Sequence, residues 1–201
     1  MKNRFKIIFI LLFGVIFLNI NCAHLSYIKD PFVDIPNFSK VDDTLYRGGQ
    51  PTQEGMRILK KTGIKTIIAL RNPGKDLNRE KEQAHSLGIE VINIPLSVYK
   101  IPEDQQVLEF LKTVTDTSKQ PVYLHCTSGR DRTGAIVAVY RVIVSHWTIK
   151  QAYKEAKQKG FWPYHGDAVL KKFIHQLKDK GSYYEFMGRP VPPKPKKRGE
   201  E

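Results

Sequence analysis

The thirteen residues Val122–Gly134 (VYLHCTSGRDRTG) constrain this chain more than any other stretch. Pro121–His125 is apolar and reads as a buried strand. The polar run from Cys126 to Arg132, with Gly129 inside it, cannot continue that strand. Beyond it, Ala135–Val144 (AIVAVYRVIV) is apolar again. Its β-branched residues would suit a strand by periodicity alone, but the loop before it predicts a buried helix. Strand, short loop and helix form a cradle for an anion. Loop N–H groups can turn inward, the helix that begins near Thr133 adds its positive end, and Gly129 lets the backbone curve without a side-chain clash. Arg132 offers a planar fork for two phosphate oxygens. Cys126 sits at the base of the cradle as a nucleophile. The same amides, helix end and arginine that bind phosphate favour its thiolate. The Thr133 hydroxyl can donate to the sulfur and help it leave.

Competing readings of these residues are weaker. A cysteine at a strand end is commonly a small buried apolar group, but that leaves the glycine and the arginine unexplained. A zinc site at His125-Cys126 lacks a second ligand pair. The phosphate loop of nucleotide hydrolases needs a lysine after its last glycine, where this chain has Gly134-Ala135.

Around this stretch, strands and helices alternate. Leu45–Arg47 reads as a short strand. Thr52–Thr62 reads as a helix with Met56, Ile58 and Leu59 inward and Gly63 at its end. Lys65–Leu70 is a buried strand, Arg79–Leu87 a helix closed by Gly88, and Ile89–Ile94 a strand. Glu103–Val114 is a helix with Val107, Phe110, Leu111 and Val114 at helical spacing. Thr148 and Gln151 form a capping box for the next helix, and Asp167–Leu177 is the last. The expected fold is α/β, a single domain with a mostly parallel central sheet flanked by helices. A length of 201 residues agrees with one core.

Cysteine, five residues, arginine and threonine, with histidine before and glycine inside, resemble the signature of the cysteine-based protein tyrosine and dual-specificity phosphatases. YRGGQPT, GIKTIIALRN and HCTSGRDRTG look most like the small atypical dual-specificity group of bacteria, fungi and plants. The resemblance runs from about Tyr46 to Lys178. It implies phosphomonoester hydrolysis in two steps. Cys126 attacks phosphorus, water then opens the phosphocysteine, and Arg132 stabilises the transition state. No metal or other cofactor is needed. His125, Thr127, Ser128, Gly129 and Arg130 would line the phosphate site, and Arg47 could reach the pocket mouth or form a surface ion pair.

Two features are open in the sequence. Typical relatives carry an acidic residue on a loop about 30 residues before the cysteine, but no acid lies between Pro95 and Pro102. The general acid is therefore Asp131, in the loop itself, or Asp104, whose other reading with Glu103 is helix N-terminal charge. The substrate is a phosphorylated protein or, given the extra cation Arg130, an inositol phosphate or phosphoinositide. A phosphate-binding module without turnover is the remaining alternative. Trp162, Tyr164 and His165 either wall the site or fill a hydrophobic corner.

The ends read differently. Residues 1–21 carry Lys2, Arg4 and Lys6 before an apolar run to Ile20, as in a signal peptide or membrane anchor. With Cys22 next, the segment resembles a bacterial lipoprotein signal, in which Cys22 is lipidated and the protein is exported and membrane-anchored. Residues 22–37 then read as a tether, 38–187 as the catalytic domain, and 188–201 as a basic, proline-rich disordered tail. Loss of residues 1–21 would lower the net charge from +13 to +10. Such charge suits an anionic partner, and no nucleic-acid partner is expected. With Cys22 capped by lipid, Cys126 has no resolving thiol, so oxidants should carry it to sulfenic acid and beyond.

Overall fold

A computed structural model describes residues 31–162 and 168–192. Five short strands form its sheet: β1 (Ser39–Lys40), β2 (Leu45–Gly48), β3 (Thr66–Ala69), β4 (Glu90–Asn93) and β5 (Val122–His125). Their order is β1-β2-β5-β3-β4, with β1 antiparallel to β2 and every other pair parallel. Gly48 and Ala69 both pair with His125, so the C-terminal ends of β2, β3 and β5 come level. In parallel sheets ligands bind at that edge.

The central strands alternate between two apolar layers, as the period of two requires. Ile67 and Tyr123 join one cluster with Ile35, Met56, Leu59 and Ala84. Ile68 and Leu124 join a larger one with Phe110, Val137, Ile143 and Phe173. On the smaller side lie α1 (Pro31–Asp34), α2 (Gln53–Lys61) and α3 (Lys75–Ser86). On the larger side lie α4 (Asp104–Thr115), α5 (Asp131–Ile143), α6 (Ile149–Gln158), α7 (Ala168–His175) and, after a 3-10 turn at Leu177–Asp179, α8 (Gly181–Phe186).

The helices start where their caps dictate. The Thr52 side chain accepts the Gly55 N–H, opening α2, and Thr148 accepts the Gln151 N–H, opening α6. The β-branched run is indeed helix. In α5 every residue from Thr133 to Tyr140 is buried, so packing on all sides overrides local propensity.

Several boundaries differ from the sequence expectation. The expected tether is folded from Pro31 onward: Ile35 is in the core, Asp34 is buried, and the Asn37 side chain reaches across to Gly129. Helix α3 begins four residues before Arg79, directly after Gly74. Helix α8 was not foreseen, because its six residues are too few to reveal a period. The start of the expected tail is docked: Arg189 donates to Val142 O (3.1 Å) and to Ile143 O, capping the C-terminal carbonyls of α5. Residues 1–30, with Cys22, and 193–201 lie outside the described residues, as do Tyr164 and His165. Among the described residues no helix is long and apolar enough to cross a membrane.

Candidate active site

Cys126 follows the last residue of β5 and is 2% exposed, at the base of the loop that leads into α5. The loop is shaped from behind, through its carbonyls. The His125 ring Nδ1 donates to Cys126 O (3.0 Å). The Gln50 N–H donates to Thr127 O (2.9 Å). Gly129 O accepts from Arg47 Nη2 (2.7 Å) and from Asn37 Nδ2 (2.9 Å). In a trans peptide the carbonyl and the following N–H point in opposite directions. Three carbonyls tied back therefore turn the N–H groups of Thr127, Ser128 and Arg130 the opposite way, free of the bonds that hold the carbonyls. Gly129 has φ +71°, and a Cβ there would lie 2.3 Å from the Gly48 carbonyl carbon. Only glycine allows the loop to lie this close on β2.

Arg132 is in the first turn of α5. Its Nη1 donates to Leu70 O (3.2 Å) and Leu96 O (3.4 Å), and its Nη2 to Thr127 Oγ1 (3.1 Å). The guanidinium is thus fixed by the segments after β3 and β4 and by the loop itself. Thr133, fully buried, directs its hydroxyl to Gly48 O at 3.5 Å. Arg130 is exposed at the rim, its aliphatic stem against Gly160. Ser128 is half-buried within the loop.

The two candidate acids are held differently. Asp131 Oδ1 accepts the Trp162 backbone N–H (3.0 Å), which ties the segment after α6 to the first turn of α5. Asp104 Oδ1 accepts from Lys180 Nζ (2.6 Å) and Tyr183 OH (2.7 Å) near and within α8. Those two bonds hold its carboxyl below the ordinary carboxylate value, which favours an ion-pair anchor over a proton donor. The Trp162 side chain is 64% exposed, and the hydrophobic corner is filled instead by Phe161, edge-on to Tyr153.

One expectation is corrected. Arg47 is neither at the pocket mouth nor in a surface ion pair: it is 1% exposed and lies behind the loop. It alternates in phase with Leu45, toward the larger core.

Sequence reading missed Glu80. It is 2% exposed, accepts from Gln50 Nε2 (2.8 Å), and lies 2.7 Å from His125 Nε2. Burial by itself pushes its carboxyl up. The hydrogen bond and Coulombic attraction of His125, with Gln50 and Arg71 behind, outweigh this and hold it below the ordinary value. Both ring nitrogens of His125 are therefore engaged, Nδ1 by the Cys126 carbonyl and Nε2 by the Glu80 carboxyl, which fixes the ring beneath the loop. A signal was available: Glu80 falls at helical spacing with Leu77 and Ala84, an acid on the buried face of α3. Beside the loop, a pocket of about 320 Å³ is lined by Thr127, Gln50, Arg71, Arg79 and Gln83.

Comparison with known proteins bears on family and fold. A family model described as DSP-PTPase phosphatase fused to NAD+ kinase matches residues 31–169. The chain is 37% identical over 121 residues to a probable chloroplastic NAD kinase 2 of Oryza sativa, covering 57% of this chain but 12% of that protein. It is 33% identical over 129 residues to inositol diphosphatase DSP4 of Arabidopsis thaliana, covering 62% of this chain and 64% of that one. It thus spans less than two thirds of either relative. The crystal structure of TpbA of P. aeruginosa with phosphotyrosine superposes with a TM-score of 0.65 at 21% identity, covering 80% of this chain and 94% of that one, and shares its fold. With the match extending over more than half its length, the chain belongs to the DSP-PTPase phosphatase family whose model is named for a fusion to NAD+ kinase.

Proposed function

We propose that the chain hydrolyses phosphomonoesters as a protein tyrosine or dual-specificity phosphatase, through a phosphocysteine. The Cys126 thiolate attacks phosphorus, and the ester P–O bond breaks. The departing oxygen takes a proton from Asp131. Water then attacks the phosphocysteine and passes a proton back to Asp131, the S–P bond breaks, and inorganic phosphate leaves as the thiolate returns. Arg132 and the loop amides hold the equatorial oxygens in both steps, where preorganised donors act most strongly. The observation that carries this reading is the set of three loop carbonyls bonded from behind over a buried cysteine. The test is phosphate release from an aryl phosphate. Cys126→Ser should abolish it and Arg132→Ala should lower kcat by roughly a hundredfold or more; turnover by the Cys126→Ser protein sinks the reading. Asp131→Asn should lose the basic limb of the pH–rate profile for alkyl phosphates, whose leaving groups need the proton, while Asp104→Asn keeps it. The reverse result would move the acid to Asp104.

A second reading gives the same chemistry an inositol phosphate or inositol diphosphate substrate. The 33% identity to a plant inositol diphosphatase supports it, as do the polar pocket with Arg71 and Arg79 beside Thr127 and the rim cation Arg130. Specificity constants for phosphotyrosine peptides against inositol phosphates decide between the two.

A further inference from the structure

We infer that Arg47 is a positioning residue: its guanidinium, sealed behind the loop, holds the Gly129 carbonyl back and sets a positive charge beneath the bound anion. The inference rests on the phosphate-site reading above but not on turnover.

The placement is costly for the fold. Arg47 shares its face of β2 with Leu45, inside the larger apolar cluster, where an aliphatic residue is the ordinary occupant. Among the described residues only Nη2 is bonded; Nε and Nη1 are buried without a partner. Burial pulls its pKa down to about 10, which still leaves it charged at neutral pH. Glu155 and Cys126 attract that charge, Tyr123 adds to it when ionised, and Arg141 opposes it. Glu155 is already paired with Arg141 at 2.7 Å. The group left for Arg47 to act on is the sulfur and whatever anion sits above it.

Gly129 O also accepts the Asn37 amide at 2.9 Å, so the loop keeps one tie to its carbonyl when Arg47 is replaced. A guanidinium with two unmatched nitrogens in an apolar layer serves anion binding better than stability. Its direct bond turns the Gly129–Arg130 peptide so that the Arg130 N–H points the opposite way.

The test uses the full-length protein in detergent and tungstate as the phosphate mimic. Arg47→Met should weaken tungstate binding by roughly tenfold to a hundredfold, the worth of one charge-assisted contact. kcat/KM for an aryl phosphate should fall at least as far, with the melting temperature no lower than in the parent. Arg47→Lys, which keeps the charge, should recover most of the tungstate affinity. Unchanged affinity in the Met variant overturns the inference. So does an equal loss in the Met and Lys variants accompanied by a lower melting temperature, the mark of a merely structural residue. If the Met variant does not fold, NMR of the parent decides: the Arg47 Nε resonance should shift when tungstate binds, and an unmoved resonance overturns the inference. A parent protein that binds tungstate but releases no phosphate would refute the hydrolase reading and leave this one standing.

Discussion

The buried carboxylate Glu80 ties the stability of the loop's support to pH. Its pKa is depressed in the folded state, so its contribution is complete above its ordinary value of 4.5 and is lost as pH falls through the lower folded value. Glu80→Gln removes that titration and keeps an oxygen and an amide beside His125. The variant should therefore lose less stability than the parent between pH 7 and pH 3 in urea unfolding. An identical loss in both would deny the Glu80–His125 pair its role. Glu80→Ala at pH 7 should cost about 2 kcal/mol, since it leaves a buried His125 nitrogen without a partner. Residues of this kind mark where sequence reading stops. Cys126, Arg132 and the glycine between them are legible because the chemistry fixes their spacing within one loop. Glu80, Arg47 and Asn37 act on that loop from 45, 82 and 92 residues away. No local spacing connects them, and only the parallel register of β2, β3 and β5 brings them to one edge.

At the scale of elements, the strands and most helices follow from periodicity and caps, and the misreadings have physical causes. Pro31 and Pro36 suggest a linker, yet Ile35 is fully buried between them, so one apolar anchor outweighs two prolines. Helix α8 is short and its period unreadable, but Tyr183 and Tyr184 are buried and Asp104 receives the Tyr183 hydroxyl. The tail beyond it shows that a basic residue can be structural. Arg189 bonds the last carbonyls of α5 and lies over the Tyr184 ring, 5.4 Å from its centroid. A cation at a helix C-terminus satisfies orphan carbonyls and meets the negative end of the dipole. Arg189→Ala should lower stability by about 1 kcal/mol while leaving kcat/KM for aryl phosphates unchanged. Denaturant unfolding with a parallel activity assay checks both halves. A fall in activity without a fall in stability would instead tie the C-terminal segment to the site.

At the scale of the whole molecule, the sequence pairs a basic phosphatase-family domain with an apolar leader. We propose that the leader exports the chain and that Cys22 is lipidated, holding the enzyme at a bacterial membrane. The support is the order of basic residues, apolar run and cysteine in residues 1–22. Acyl chains contribute about 0.8 kcal/mol per buried methylene, so a lipidated cysteine alone can hold a soluble domain on a bilayer once more than one chain is attached. The net charge of +10 left after cleavage adds attraction to anionic lipid but is screened within about 10 Å at 0.1 M salt. The two contributions separate experimentally. In detergent-phase partition of cells expressing the full chain, the parent should enter the detergent phase and stay there at high salt. Cys22→Ala should leave an uncleaved precursor of higher apparent mass, with no lipid mass on residue 22. A mature parent without added lipid mass, found in the aqueous phase, would show that the leader is simply removed. A parent that keeps residues 1–21 and partitions exactly like Cys22→Ala would make the apolar run itself the anchor. Either result overturns lipidation, and neither touches the chemistry at Cys126, whose loop is held by Asn37, Arg47, Gln50, His125 and Arg132.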